Sequence, residues 1–239
     1  MARRIPRLLG LLVVVPLLVA GCGGVSERAG GTSAGPPVKP SSDAKVLNIV
    51  AGSEQQAVLD DVVVPWCKQR GLTCNYTLLG SVDQARLLAS GKAPYDAFWF
   101  ASSVFEQLGD TGNVLRDVRP MFTTPIVFAG WKSEMQRLGL VGHPVTIDEI
   151  LKVVTSHMTT VWATNPTQSN SGATALFAFL NYFAGNKSGQ QLTLQQLEEP
   201  KVKQGITRFI RSIARTPPST GTMMDDCIAD EKACKTMFT

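Results

Sequence analysis

The chain has 239 residues, of which 44% are hydrophobic and 18% are charged, and its formal net charge at pH 7 is +4. Three of the basic residues, Arg3, Arg4 and Arg7, lie at the N-terminus, and the rest of the chain has 20 basic and 19 acidic side chains. A charge of +1 leaves no clustered basic face, so the sequence predicts no nucleic-acid partner.

Residues 1–21 have the organisation of a signal peptide, with a basic flank, an apolar run over residues 8–20 and small residues at the end. The run is shorter than the ~20 residues of a membrane-spanning helix. Ala20 and Gly21 before Cys22 resemble the lipobox of bacterial lipoproteins, which implies cleavage before Cys22 and a diacylglyceryl thioether, with chains such as palmitate, on its sulfur. The alternative is an ordinary secretory signal in which this cysteine is incidental. We expect an exported protein, lipid-anchored to the outer face of the bacterial cell membrane.

Residues 22–44 are rich in Gly, Ser, Pro and Thr and have almost no large apolar side chains. Such a segment buries too little surface to offset the entropy of ordering, so it is predicted to be a flexible linker. The folded part then spans residues 45–239.

Four further cysteines form two pairs with the same spacing, Cys67 with Cys74 and Cys227 with Cys234. In an oxidising compartment, two local disulfides are the simplest of the three possible pairings. A four-cysteine metal site is the alternative, but it lacks Cys-x-x-Cys spacing and a nearby histidine. We therefore predict two disulfides and no metal.

The first part of the folded region alternates strands and helices. Strands are predicted over residues 46–51, 72–79 and 95–100, and helices over residues 55–69 and 81–90 and from residue 102. Pro65 is expected to kink or restart the last turn of the first helix, and Ser81 is expected to cap the second. This order predicts an α/β fold with a parallel sheet, whose ligand crevice lies beyond the carboxyl ends of the strands.

A second unit is predicted to follow with the same classes of element. Strands are expected over residues 124–131 and 159–164, and helices from residue 145 and over residues 173–184 and 201–214. Thr146 and Glu149 have the spacing of a capping box. A polar loop covers residues 165–172, and the Thr220-Gly221-Thr222 turn is expected to cap a further helix rather than to face the crevice.

Four short segments in this order resemble the type II periplasmic solute-binding proteins: Leu47–Glu54, Tyr95–Ser102, Thr124–Ala129 and Asn165–Gly172. The resemblance implies a two-lobed α/β fold, with lobes at about 45–122 and 123–239 and hinge closure on a solute. It also implies a small polar solute as ligand, no cofactor, and either an ABC-type transporter or another membrane protein as partner or a role as a sensor. Carried over by position, the ligand-binding residues are Ser53, Glu54, Ser81, Ser102, Ser103, Ser169, Asn170, Ser171 and Gly172.

Two features depart from the family pattern. Glu54 either points a carboxylate into the cleft, which favours a cationic or amine-bearing ligand, or simply favours the helix dipole of its own turn. The family chain usually returns to the first lobe after the second, and this chain stops where that return begins. The sequence is thus expected to be a fragment or a truncated product, or to have a reduced first lobe.

No motif predicts catalysis, because the chain lacks a Gly-x-Ser-x-Gly elbow and a His-Glu-x-x-His helix, and His143 and His157 are isolated. The acidic residues Asp225, Asp226 and Asp230 lack the spacing of a calcium loop and are predicted to be solvated. We expect a binding protein, not an enzyme. The alternative is an extracellular interaction or adhesion module that keeps the fold without a small ligand.

Overall fold

The first sheet is entirely parallel. In the computed structural model, which describes residues 43–239, the sheet has the strands β1 (Val46–Ala51), β2 (Thr73–Leu78) and β3 (Ala97–Trp99) in the order β2-β1-β3. Val46 lies opposite Thr73, and Ile49 lies opposite Ala97. The signal peptide and nearly all of the linker that the sequence predicts lie outside the described residues.

A continuous helical segment connects β1 to β2. It begins with a 3₁₀ turn (Ser53–Gln55), continues as α1 (Gln56–Val58) and a π-helical segment (Leu59–Val63), and ends as α2 (Val64–Gln69). Pro65 lies in the first turn of α2, where its missing backbone N–H costs no intrahelical hydrogen bond, so the last part of the helix restarts at this residue after the π-helical segment. The later crossovers are α3 (Ser81–Ala89) after β2 and α4 (Ser103–Gly109) after β3.

The second sheet is mixed. Its strands are β4 (Phe128–Gly130), β5 (Val161–Ala163), β6 (Ile213–Arg215) and β7 (Thr236–Phe238), in the order β4-β7-β5-β6. Strand β5 is parallel to both of its neighbours, and β4 is antiparallel to β7. The sequence predicted the regions of β4 and β5 but neither β6 nor β7.

Six helices surround this second sheet. They are α5 (Lys132–Arg137), α6 (Ile147–Thr155), α7 (Asn170–Ala184), α8 (Leu194–Glu198), α9 (Pro200–Ser212) and α10 (Thr220–Ala229). The predicted capping box is present at the start of α6, where the side chains of Thr146 and Glu149 each bind the backbone N–H of the other residue.

Successive side chains of a strand point to opposite faces of the sheet, so the core of the second sheet has one part on each face. Val161 and Ala163 of β5 pack with the aromatic rings of Phe179 and Phe209, whose centroids are 4.1 Å apart. Trp162, between them in sequence, faces the opposite side of the sheet. It packs there with Met223 and Cys227 of α10, with Cys234 before β7 and with Met237 of β7. A smaller core covers the first sheet and includes Ile49, Ala51 and Leu59.

Both predicted disulfides are present. Cys67–Cys74 joins α2 to β2, and Cys227–Cys234 joins α10 to the segment before β7. All four cysteines are buried, so each bridge is part of a hydrophobic core. Among residues 43–239, no helix is both long enough and apolar enough to cross a membrane.

Candidate functional site

The carboxyl ends of the first three strands lie side by side. The Gly52 N–H donates to the carbonyl of Trp99 at 3.3 Å, which joins the ends of β1 and β3. Ser81, which is 1% exposed, accepts a hydrogen bond from the Ala101 N–H at 2.9 Å. The prediction that Ser81 caps α3 is wrong, because the cap position is Gly80 and the Ser81 hydroxyl holds the segment after β3 instead.

Ser102 and Ser103 lie at the start of α4. The Ser102 hydroxyl accepts from the Val104 N–H at 3.3 Å, so this residue caps the helix that the sequence predicted from residue 102. Ser103 is the first helical residue and is exposed. Their role in ligand binding stays a prediction.

Helix α7 supplies the polar groups of the second sheet. It begins at Asn170, three residues before the predicted start, so that Asn170, Ser171 and Gly172 form its first turn. Asn170 is half-buried, and its Oδ1 accepts from the Thr174 hydroxyl at 3.1 Å. A Cβ on Gly172 would lie 2.0 Å from the carbonyl oxygen of Thr164, so this position requires glycine.

Buried hydroxyls form a cluster beside this turn. The Ser171 Oγ lies 2.8 Å from the Thr164 Oγ1, 3.3 Å from the Ser169 Oγ and 2.9 Å from the Thr220 Oγ1. Ser169 and Ser171 are 4% and 6% exposed. The predicted residues Ser169 and Ser171 therefore lie together, and Thr220, the first residue of α10, joins them. The cap of α10 is Ser219, one residue before the predicted turn.

Two backbone contacts bring the segments of both sheets together. The Gly221 N–H donates to the Ser53 Oγ at 2.8 Å, and the Val82 N–H donates to the Gln168 carbonyl at 3.2 Å. The first contact is so close that a Cβ on Gly221 would lie 2.8 Å from the Ser53 Cβ. The five segments that meet here form what we call the crevice: residues 52–55, 80–82, 101–103, 164–172 and 219–222.

The electrostatics of the crevice come from one carboxylate and two helix starts. Glu54 is exposed at the crevice but crowded by protein atoms, and this desolvation raises the pKa of its carboxyl, although hydrogen bonds from its own N–H and from Ser53 act in the opposite direction. No side chain caps α3 or α7, although the Val82 N–H at the start of α3 donates to the Gln168 carbonyl, and both helix starts bring a partial positive charge to the crevice. Gln55, which the sequence analysis did not single out, is 1% exposed in the same turn.

These groups donate and accept hydrogen bonds, which suits binding of a polar solute. Within residues 43–239, no cluster of three His, Cys, Asp or Glu side chains has the arrangement of a metal site. His143 contacts Glu149 at 3.2 Å on the surface of the second unit, away from the crevice segments in sequence.

The profile of a family described as bacterial extracellular solute-binding protein matches residues 47–222, a range that includes every crevice segment. The chain belongs to this family. Its members are solute-binding proteins rather than enzymes, and the family implies an exported protein. No curated protein sequence matches the chain.

Two solved structures are similar to this family member. The sulfate-binding protein SubI from Mycobacterium tuberculosis H37Rv has a TM-score of 0.52 at 16% identity, over 82% of this chain and 64% of that chain. The periplasmic binding protein AfuA from Actinobacillus pleuropneumoniae, with fructose-6-phosphate bound, has a TM-score of 0.50 at 14% identity, over 82% and 63%. The chain thus spans less than two thirds of their lengths. Identities this low show the fold alone, and they confirm the predicted two-lobed periplasmic-binding-protein fold.

Proposed function

We propose that the protein captures a small polar solute in the crevice between its two sheets. The observation that carries this proposal is the meeting of hydroxyls and uncapped helix starts from both sheets at one place. Ser53 from the first sheet binds Gly221, and Ser171 from the second binds Thr220 next to it. A solute that bound these groups would link both sheets, which is the physical basis of closure on a ligand.

The predicted ligand-binding residues divide into two groups under this proposal. Buried hydroxyls with partners from other segments hold the crevice in shape, and these are Ser81, Ser169 and Ser171. Groups with partly or fully exposed side chains are the direct contacts with the solute, namely Ser53, Glu54, Asn170 and the Ser102–Ser103 pair, whereas Gly172 is buried and lets α7 approach Thr164 closely.

A thermal-shift screen of the full chain in mild detergent tests solute binding, with amino acids, amines, sugars and oxyanions as probes. A ligand raises the melting temperature because it binds the folded state alone. Ser53→Ala should weaken binding of the stabilising probe about fivefold to tenfold, the value of one hydrogen bond. Ser133→Ala, an exposed serine on α5, is the matched control and should leave binding unchanged. No shift from any probe on a folded chain would contradict the proposal.

We further propose that the protein works outside the cytoplasm on a lipid anchor at Cys22, where it delivers its solute to an ABC-type transporter or itself acts as a sensor. The lipobox-like residues before Cys22 and the composition of residues 22–44 support the anchor. Mass spectrometry of the mature N-terminal peptide should find Cys22 at its first position with a diacylglyceryl thioether. The Cys22→Ala variant should no longer be found in the membrane fraction. An unmodified Cys22 in the wild-type protein would contradict the anchor.

An extracellular interaction module is the second candidate function. Large apolar side chains are exposed on α4 and between α4 and β4: Val104, Leu108, Val114, Val118, Met121, Phe122 and Val127. A monomeric solute-binding protein gains nothing from this exposure, whereas an interaction module uses it. Chain association that Met121→Lys abolishes, together with no response to solutes, would favour this second candidate.

A further inference from the structure

Glu54 is the sole charged side chain in the sequence of the five crevice segments. No ion pair forms between it and a basic residue within the described part of the chain. The nearby charges on α3 are already engaged, because Arg86 binds Asp83 at 2.8 Å and donates to the Thr167 carbonyl at 2.8 Å. Among the described residues, the crevice therefore has one carboxyl group that forms no ion pair.

A second acceptor without a donor lies next to it. Gln55 is 1% exposed, and its Oε1 is buried without a hydrogen-bond partner. A buried amide oxygen that loses its hydrogen bond to water and gains none in return costs about 1–3 kcal/mol. Such an atom in a ligand crevice is a candidate for a bond that the ligand supplies.

The two acceptors face the same small space. The Gln55 Oε1 and the Glu54 Oε2 each lie 2.6 Å from the position that a Cβ on Gly52 would take. Two acceptor oxygens at such a desolvated position are unfavourable together unless a donor lies between them. A positively charged donor gains most here, because hydrogen bonds between charged partners are about twice as strong as neutral ones.

We propose that Glu54 and Gln55 form a subsite for a positively charged nitrogen group, so that the solute is an amine with a primary ammonium or a guanidinium-type group. The inference rests on the proposed function, which it deepens by naming the class of solute. The ammonium donates to the carboxylate and to the amide oxygen, while the hydroxyls of the crevice bind the remainder of the solute.

Matched probe pairs on the full chain in mild detergent test the subsite. Each pair differs in the nitrogen group: ethanolamine with ethylene glycol, 1,4-diaminobutane with 1,4-butanediol, and β-alanine with propionate; agmatine and sulfate complete the set. We expect at least one amine, and not its nitrogen-free partner, to raise the melting temperature. Glu54→Gln should weaken binding of that amine at least tenfold, which corresponds to about 1.4 kcal/mol. Asp61→Asn removes one exposed charge outside the crevice and is the control for long-range electrostatics.

Gln55→Met provides a readout that loss of folding cannot imitate. Methionine has a shape similar to that of glutamine. If the Gln55 amide oxygen lacks a donor in the unliganded protein, the variant should keep or raise the melting temperature and still bind the amine more weakly. A lower melting temperature without ligand would show that the amide nitrogen donates to Glu54, which would overturn the subsite. Amine binding unchanged in Glu54→Gln, or no amine binding, would also overturn it. Binding of sulfate or a nitrogen-free probe alone would overturn the amine class and leave solute capture standing, whereas no binding of any probe would contradict both.

Discussion

Gly80→Ala tests the contact between the two sheets at the crevice. A Cβ on Gly80 would lie 2.2 Å from the carbonyl oxygen of Gln168, where ordinary contact begins at 3.4 Å. The φ of Gly80 is −59°, which alanine adopts freely, so the substitution acts through this contact and not through backbone strain. The two segments must separate by roughly 1 Å, which breaks the Val82–Gln168 hydrogen bond.

Overpacking of this kind costs about 1–3 kcal/mol in the free energy of unfolding. For a folded region of this size, each kcal/mol lowers the melting temperature by about 2–4 °C. Circular dichroism melts of the full chain in detergent measure this shift. Gly112→Ala is the matched control, because the nearest atom to its Cβ, on Val114, is at the ordinary distance of 3.4 Å. Equal melting temperatures for Gly80→Ala and the control would refute the contact.

Three other changes test the fold. Glu134 accepts two hydrogen bonds from Arg137, which with the charge of that residue hold the pKa of this carboxyl at about 2, below its ordinary 4.5. Its stabilising contribution is present above pH 4.5 and is lost as the pH falls towards 2, so melting temperatures of wild type and Glu134→Gln should converge over that window; a constant difference would contradict this. The Cys67→Ser, Cys74→Ser double variant should lose about 2 kcal/mol or more in urea unfolding, and an unchanged midpoint would contradict a structural role of the bridge. Gly172→Ala places the new Cβ 2.0 Å from the Thr164 carbonyl oxygen and should lower the free energy of unfolding by about 3 kcal/mol. An unchanged free energy of unfolding in urea would contradict this close contact between α7 and Thr164.

Local signals in the sequence predicted much of the first sheet. Strand β1 has its predicted bounds, and the Thr146–Glu149 capping box forms because both partners lie within one helical turn. Strands β6 and β7 were not predicted, and the first two residues of β6 fall at the end of the helix predicted over residues 201–214, which stops at Ser212 instead. They are stabilised by pairing with β5 and β4, which are distant in the chain, so no local signal marks them.

In the site, too, residues placed by local interactions were predictable, and residues placed by contacts distant in sequence were not. The helix predicted from residue 102 is present with Ser102 as its cap, since capping is a local interaction. Ser81 binds Ala101 instead of its own helix, because β3 places that N–H beside it. Gln55 was missed because a polar residue in a first helical turn is usually exposed, and its burial depends on how the turn packs.

Hydrogen–deuterium exchange of the full chain, with and without the solute that gives the largest thermal shift, tests solute capture most directly. Bound solute should slow exchange in peptides from both sheets, around residues 52–55 and 80–82 of the first and 168–172 and 219–222 of the second. Slower exchange confined to other segments, or none at saturating solute, would contradict the proposed crevice.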